Sequence, residues 1–598
     1  MSLPTAMPAD EIAPLLDNDV VRPPRAGRNE ESPRSSPPPP SSSSNRLLYV
    51  TLLTLGFGGL QIAWSVELSH GSPYLLSLGL SKSLMALVWI AGPLTGSLVV
   101  PYVGILSDNC RLPWGRRRPY LVGGTLGTVA SLLLLAWARE IVGGIASLLF
   151  GVDEAAGSKG VRVAVIVFAV VGIYLVDIAI NTVQAALRAF VVDCAPPGQQ
   201  ELANSMAGRL TGVGNIIGYL AGYSNLPDRL PFLGRTQFQI LCAIACVALS
   251  VTITLSVFFI READPRLADG RPAVKTPGIG PFFFNLMRSV RRLPPQTKRV
   301  CRVQFCAWVG FFPLLFYSSS YIAEIYVQPF LRAKPDMTRE EVELLYQQAT
   351  RIGTFALLVN AIVSLSTNVF LPFFVTPSLD EGKEEGGSVQ GSTSYSWARW
   401  LRIPGLTVKR AWIGSLVLFA VAMFCCPFVG SVEAATALIG VAGITWAMAL
   451  WAPWAIIGAE INNNRRDTPV RRQRRKWSAS AGQDDATAAV ENEADEAVRE
   501  EGDEVMEEEE KDEAGVVLGI HNMAIAVPQI VATVGSSIIF KLWQKPRGTA
   551  GDRSIGFVMA LGGVCVLLSV LFASGIEEKE EEEEEERGRG RGRGSDTR

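Results

Sequence analysis

An all-α polytopic membrane protein, with twelve transmembrane helices in two six-helix bundles, is the fold the sequence predicts. Three observations carry this. The 598 residues are 48% hydrophobic and only 19% charged, with a mean hydropathy of +0.25. The charges crowd into tails and a few loops and leave long stretches almost free of them, as expected of a chain that lives in lipid. Those stretches resolve into twelve apolar segments, each near the ~20 residues needed to cross a bilayer. The net charge of −2 says little about partners, because it averages an acidic block against basic loops.

Residues 1–45 read as a disordered cytosolic tail, since SPPPPSSSS cannot build a core. Polar and proline-rich, the tail does not have the form of a cleavable signal peptide. Within it, Glu11-Ile-Ala-Pro-Leu15-Leu16 has the form of an acidic dileucine sorting signal. The apolar segments fall at 46–68, 83–106, 119–138, 161–190, 203–223 and 237–260, then at 303–323, 352–375, 411–430, 434–459, 515–540 and 554–575. Residues 46–260 thus form an N-terminal six-helix half, 261–302 a basic cytosolic linker, and 303–575 a C-terminal half. Lys and Arg concentrate in the 2–3 loop, the linker and the RRQRRK run at 471–476, whereas the 1–2 loop has only Lys82. The positive-inside rule then places both termini in the cytosol. The acidic stretch within 462–514 reads as a disordered cytosolic loop, and 576–598, with its EEEEEE block and RG repeats, as a disordered tail.

The fourth segment carries the chemistry. In YLVDIAINTVQAALRAFVVD, Asp177, Asn181, Gln184 and Arg188 recur at steps of four, three and four, one stripe of a helix whose other faces are apolar. In lipid such a stripe must turn toward other helices or a water-filled cavity. It can hold a neutral polar ligand and pass a proton, or serve as polar glue between helices. Gln61, Trp64 and Glu67 on the first segment, Asn522, Gln529 and Thr533 on the eleventh, and Tyr317 and Ser320 on the seventh can add to the same surface, although helix packing also accounts for such residues. Glu67 stands as a second proton-coupling carboxyl beside Asp177.

The 2–3 loop reads Gly104-Ile-Leu-Ser-Asp108-Asn-Cys-Arg-Leu-Pro-Trp-Gly115-Arg116-Arg117-Arg118-Pro119. Its arginines can pair with acids that end neighbouring helices, Asp193 among them, and such pairs can latch one conformation; anchoring by the positive-inside rule is the plainer reading. Asp193 and Glu460 end the fourth and tenth segments on the side of this loop, and with Asp108 and Arg116–Arg118 they form the candidate cytosolic gate.

This loop resembles the signature loop of the major facilitator superfamily. In its SD-x-C…GRRRP form it is similar to the glycoside–pentoside–hexuronide:cation symporters, among them the plant and fungal sucrose and α-glucoside:proton symporters and the animal melanosome-associated sugar transporters. GLQIAWSVELSHGSPYLLSLGL, YLVDIAINTVQAALRAFVVDCAP, ANSMAGRLTGVGNIIGYLAG and LGIHNMAIAVPQIVATVGSS resemble the family's helices 1, 4, 5 and 11. The resemblance implies a proton-coupled symporter of sucrose, maltose or a related α-glucoside. It implies proton coupling at Asp177, substrate contact at Arg188, and a cytosolic gate at Asp108, Arg116–Arg118 and Asp193. Two departures stand out. Ser318, Ser319 and Ser320 occupy the place where the plant proteins carry two aspartates, and His70 lies earlier than the plant histidine of the first outer loop.

The chain lacks a nucleophile–base pair, a metal cluster and a phosphate loop, so no enzyme is expected. Its nine cysteines form no CxxC pair, and there are two histidines, so neither a zinc site nor a disulfide framework nor any cofactor is expected. The expected partners are a small sugar, protons and the bilayer, without nucleic acid; the sequence sets no oligomeric state. The alternatives left open are a monosaccharide:proton symporter and a non-transporting sugar sensor on the same fold. The resemblance points to the plasma membrane, and the dileucine pattern to a vacuolar or other internal membrane.

Overall fold

Hydrophobic burial between helices explains the order of packing in the computed structural model. It describes residues 43–150, 158–196, 199–262, 280, 284, 288, 290, 293–375, 402–466 and 519–576. The dileucine pattern, RRQRRK, nearly all of the acidic loop and the C-terminal tail beyond residue 576 lie outside these residues.

The first half comprises α1 (Arg46–Ser77), α2 (Lys82–Asp108), α3 (Arg118–Ala136), α4 (Lys159–Cys194), α5 (Gln200–Tyr223) and α6 (Gln237–Phe259). The second comprises α7 (Pro295–Ala333), α8 (Arg339–Phe374), α9 (Val408–Phe428), α10 (Val432–Arg466), α11 (Gly519–Trp543) and α12 (Ser554–Ser574). No strand occurs among the described residues. Among the described residues, eleven helices are long and apolar enough to cross a membrane. The other, α5, has 24 residues but is diluted by Gly, Asn and Ser along QELANSMAGRLTGVGNIIGYLAGY. Several spans are longer than expected, α7 and α8 by the most, at 39 and 36 residues. Hydropathy registers only their apolar middles. Their polar ends continue the helix because Thr338 and Glu341 form a capping box at the start of α8, and Pro295 opens α7 at N1.

Helix pairings repeat between the halves. In the first, α1 packs on α6, α2 on α4, α3 on α4 and α3 on α6; in the second, α7 packs on α12, α8 on α10, α9 on α10 and α9 on α12. This is what two copies of one six-helix unit produce. The halves meet where α5 lies along α8 and where the end of α1 packs on α7 and α8. That end of α1 is irregular. Glu67–Gly71 form a π turn before the helix resumes at Ser72, a break in the ladder that often marks functional positions.

Candidate functional site

Lipid-embedded helices hide polar groups, and α4 hides Asp177 and Asn181, at 0% and 2% exposure. Helix α2 covers them with its glycines: a Cβ built on Gly92 would lie 3.8 Å from Asp177 Oδ1, and one on Gly96 3.8 Å from Asn181 Oδ1. Asn181 donates to Thr95 Oγ1 at 3.1 Å and to the Asp177 carbonyl at 2.9 Å. The Asp177 carboxyl itself has no hydrogen-bond partner. Glu67, in the π turn of α1, is also buried, both its oxygens are also without partners, and it lies within electrostatic reach of Asp177. Two buried carboxyls without partners are costly for a structural role, because a polar group out of water is ordinarily paired.

Further along the stripe the surroundings change. Gln184 is half-buried and accepts from Trp64 Nε1 at 3.2 Å. Gln61 donates to Asn215 Oδ1 on α5 at 2.9 Å. Arg188 is exposed and makes no hydrogen bond or ion pair with a described residue. The stripe thus runs from a sealed acidic end to an open guanidinium with unused donors; α1 brings Trp64 and Glu67 to it, whereas Gln61 bonds to α5. Helix α11 contributes less. Asn522 reaches the Gly96 carbonyl only at 3.5 Å, whereas Gln529 and Thr533 bond to carbonyls of their own helix. On α7, Tyr317 and Ser320 are buried, and the hydroxyls of Ser319 and Ser320 have no partner.

The expected gate residues separate. Arg117 binds Asp193 Oδ2 through Nε at 2.7 Å and also contacts Asp108 and Ser107, tying the 2–3 loop to the end of α4. Burial works against its charge, but Asp193 and Asp108 more than offset this and raise its pKa above the ordinary arginine value. Glu262, just past α6 and not singled out from sequence, accepts from the Arg117 backbone N–H at 3.0 Å, at the N-terminus of α3. Gly115, at φ +128°, turns the loop there. Glu460 sits elsewhere: it accepts from the Gln296 and Thr297 backbone N–H groups at 2.8 and 2.6 Å and so caps α7. Arg118 contacts the Ile260 carbonyl.

At the opposite end lies a cluster sequence reasoning missed. Lys82, at the start of α2, contacts Glu324 of α7 and binds Asp552, just before α12, at 2.8 Å. Ser83 Oγ meets Ser537 Oγ of α11 at 2.9 Å, and Ser72 donates to the Phe316 carbonyl at 2.7 Å. Burial works against the charge on Asp552, but Lys82 and the backbone N–H groups of Ser554 and Lys545 hold that carboxyl below its ordinary range. Among the described residues no group of three or more His, Cys, Asp or Glu is placed to hold a metal ion.

Solved structures share this course of helices. The D-xylose–proton symporter aligns with TM-score 0.50 and 14% identity over 89% of this chain and 98% of its own. A mutant of the nucleoside transporter NupG aligns with 0.51 and 10% over 88% and 99%. At these identities the likeness speaks for the fold alone, which is that of the major facilitator transporters. Residues 72–278 match the family model described as MFS/sugar transport protein. The general alpha-glucoside permease of Schizosaccharomyces pombe is 32% identical over 570 residues, 87% of this chain and 92% of the permease. Sucrose transport protein SUT1 of Oryza sativa subsp. japonica is 30% identical over 323 residues, 51% of this chain and 57% of its own length. The chain belongs to the glycoside–pentoside–hexuronide:cation symporter family of the major facilitator superfamily, and is a multi-pass membrane transporter rather than an enzyme.

Proposed function

We propose that the chain is a proton-coupled sugar symporter that carries an α-glucoside such as maltose or sucrose by alternating access. The observation that carries this is the stripe of α4. Asp177 is buried without a partner, Glu67 lies in reach of it, and Arg188 is open and unpaired. A neutral, hydroxyl-covered sugar needs fixed donors and acceptors and an aromatic edge, which Arg188, Gln184, Gln61 and Trp64 offer. Asp177 is the proton carrier, with Glu67 as its neighbour in the relay, and the protonated carboxyl favours sugar binding and reorientation. The halves 46–260 and 303–575 are the rocking units. The end bearing Arg117 faces the cytosol together with both termini, and the end bearing Lys82 faces outward. Asp108, Arg116, Arg117, Arg118 and Asp193 serve the cytosolic gate by bracing the first half that forms it rather than by latching the two halves together, with Glu460 steadying α7.

The energy suffices. One proton entering down ~100 mV releases ~2.3 kcal/mol. A pH difference of one unit adds ~1.4 kcal/mol, and since ~1.4 kcal/mol is tenfold, the sum supports accumulation of several hundred-fold. The support for α-glucosides is the likeness to the yeast permease and the rice sucrose transporter. The plasma membrane is the proposed residence. A pH-jump uptake assay over a panel of disaccharides and hexoses tests the reading. Acid outside should drive uptake of labelled maltose or sucrose above that of hexoses, and uptake indifferent to the proton gradient would refute it.

A further inference from the structure

At the Lys82 end, between the halves, lies an open recess with about 100 Å³ of cavity inside about 720 Å³ of space that includes its mouth. The first half supplies Tyr74, Arg139 and Glu140, and the second supplies Glu343, Gln347 and Arg547. None of these belongs to the central stripe. We infer that this recess is a second, peripheral carbohydrate site, which seats one glycosyl ring and, by bridging the two halves, holds this end of the transporter shut.

Charge decides the ligand class first. Two arginines face two glutamates around the recess, so it favours neither an anion nor a cation. Several of these groups already neutralise one another: Arg547 pairs with Glu343 at 3.2 Å and lies 4.1 Å over the Tyr346 ring. Spare hydrogen-bonding capacity decides next. Arg139 places one nitrogen on the Ser77 carbonyl and hydroxyl, at 2.9 and 3.1 Å, which leaves other donors free. The Gln347 amide is exposed and bonds to no described residue. His70, at 5% exposure, lines the recess and keeps Nε2 without a partner, while Nδ1 meets Ser69 Oγ at 2.8 Å. Tyr74, stacked on Phe238 at 4.2 Å, adds an aromatic wall. Neutral, rich in directional donors and acceptors, and walled by a ring, the recess matches a polyhydroxylated ring better than an ion or a lipid tail. Its volume admits one ring, with the remainder of an oligosaccharide left in the mouth.

The consequence follows from linkage. The recess needs both halves in contact, so it exists only while this end is closed. A ligand that binds one state of a two-state protein shifts the population toward it. Outward-side sugar at high concentration therefore slows its own uptake. The central transport reading enters only in that last step; the site itself is independent of it.

The test uses maltose as the probe. Full-length Arg188→Ala protein, weakened at the central site, is titrated by calorimetry. A residual weak binding event is expected, and adding Arg139→Ala with Gln347→Ala weakens it about tenfold or more. Both side chains are exposed, so the fold survives. On the wild-type background the same pair of substitutions abolishes the fall in uptake rate at high maltose and leaves half-saturation at low maltose within about twofold. Absence of residual binding in Arg188→Ala, or residual binding and self-inhibition unchanged by the pair, overturns the inference. Failure of the transport reading shows elsewhere, as wild-type protein without proton-driven uptake, and leaves the calorimetry decisive for the recess.

Discussion

Two ion-pair clusters, one near each end of the molecule, are built in opposite ways. At the Lys82 end the pairing crosses between halves and is buried: the side chains of Lys82, Glu324 and Asp552 are 9%, 11% and 7% exposed. The Arg117 cluster lies within the first half and is half open: Arg117 is 7% exposed, but its partners Asp108 and Asp193 are 56% and 33% exposed. A cross-half pair must break when the halves part, whereas a pair within one half travels with it. The first is therefore a latch on the conformational equilibrium, and the second braces one half. The exposed Arg188, against the sealed Asp177 and Asn181, fits a structure closed at the Lys82 end.

The largest effect should come from Lys82→Gln. Removing one partner of a buried ion pair leaves the others uncompensated, a cost of ~3–5 kcal/mol. Because the triad exists only in the closed form, that cost falls on one side of the equilibrium. Reaction of a Ser83→Cys thiol with an impermeant maleimide should rise at least tenfold on the Lys82→Gln background; an unchanged rate would show that the triad is not a latch. Arg117→Gln should do something different in kind. It should lower thermal stability by roughly 1.5–3 kcal/mol, since hydrogen bonds to charged groups are worth about that much, and leave Ser83→Cys labelling within about twofold. A shift in labelling as large as that of Lys82→Gln would erase the distinction between the ends. Glu460→Gln should be milder still, at ~1 kcal/mol or less, the scale of a lost helix cap, read from the same thermal transition. For the interior, a thiol at Arg188→Cys should react from the Arg117 side at least tenfold faster than one at Asn181→Cys; equal rates would contradict the sealed end of the stripe.

Much of this fold was readable because lipid imposes it. Apolar runs near the thickness of a bilayer, basic loops and the steps of four, three and four in α4 are local signals, and Asp177 and Asn181 proved as buried as the stripe required. The Arg117 cluster was readable too, because Asp108 is only nine residues away and Asp193 was already marked by its place at the end of α4. The Lys82 triad was not. Its partners are 242 and 470 residues distant, so Lys82 read only as a loop charge until packing brought α2, α7 and the start of α12 together. The π turn in α1 left no mark in hydropathy, although it sets Glu67 within electrostatic reach of Asp177. Glu460 was placed by analogy with Asp193; its cap on the backbone N–H groups of Gln296 and Thr297 joins residues 164 and 163 positions apart and left no local mark.

Whether Asp177 couples the proton to the sugar is decided by comparing two activities of Asp177→Asn in proteoliposomes. The amide keeps the shape of the protonated carboxyl but cannot release a proton. The variant should exchange labelled maltose for internal maltose by counterflow at a rate within about tenfold of wild type, while proton-driven accumulation falls to the equilibrium level. Accumulation against a gradient by Asp177→Asn would contradict the account.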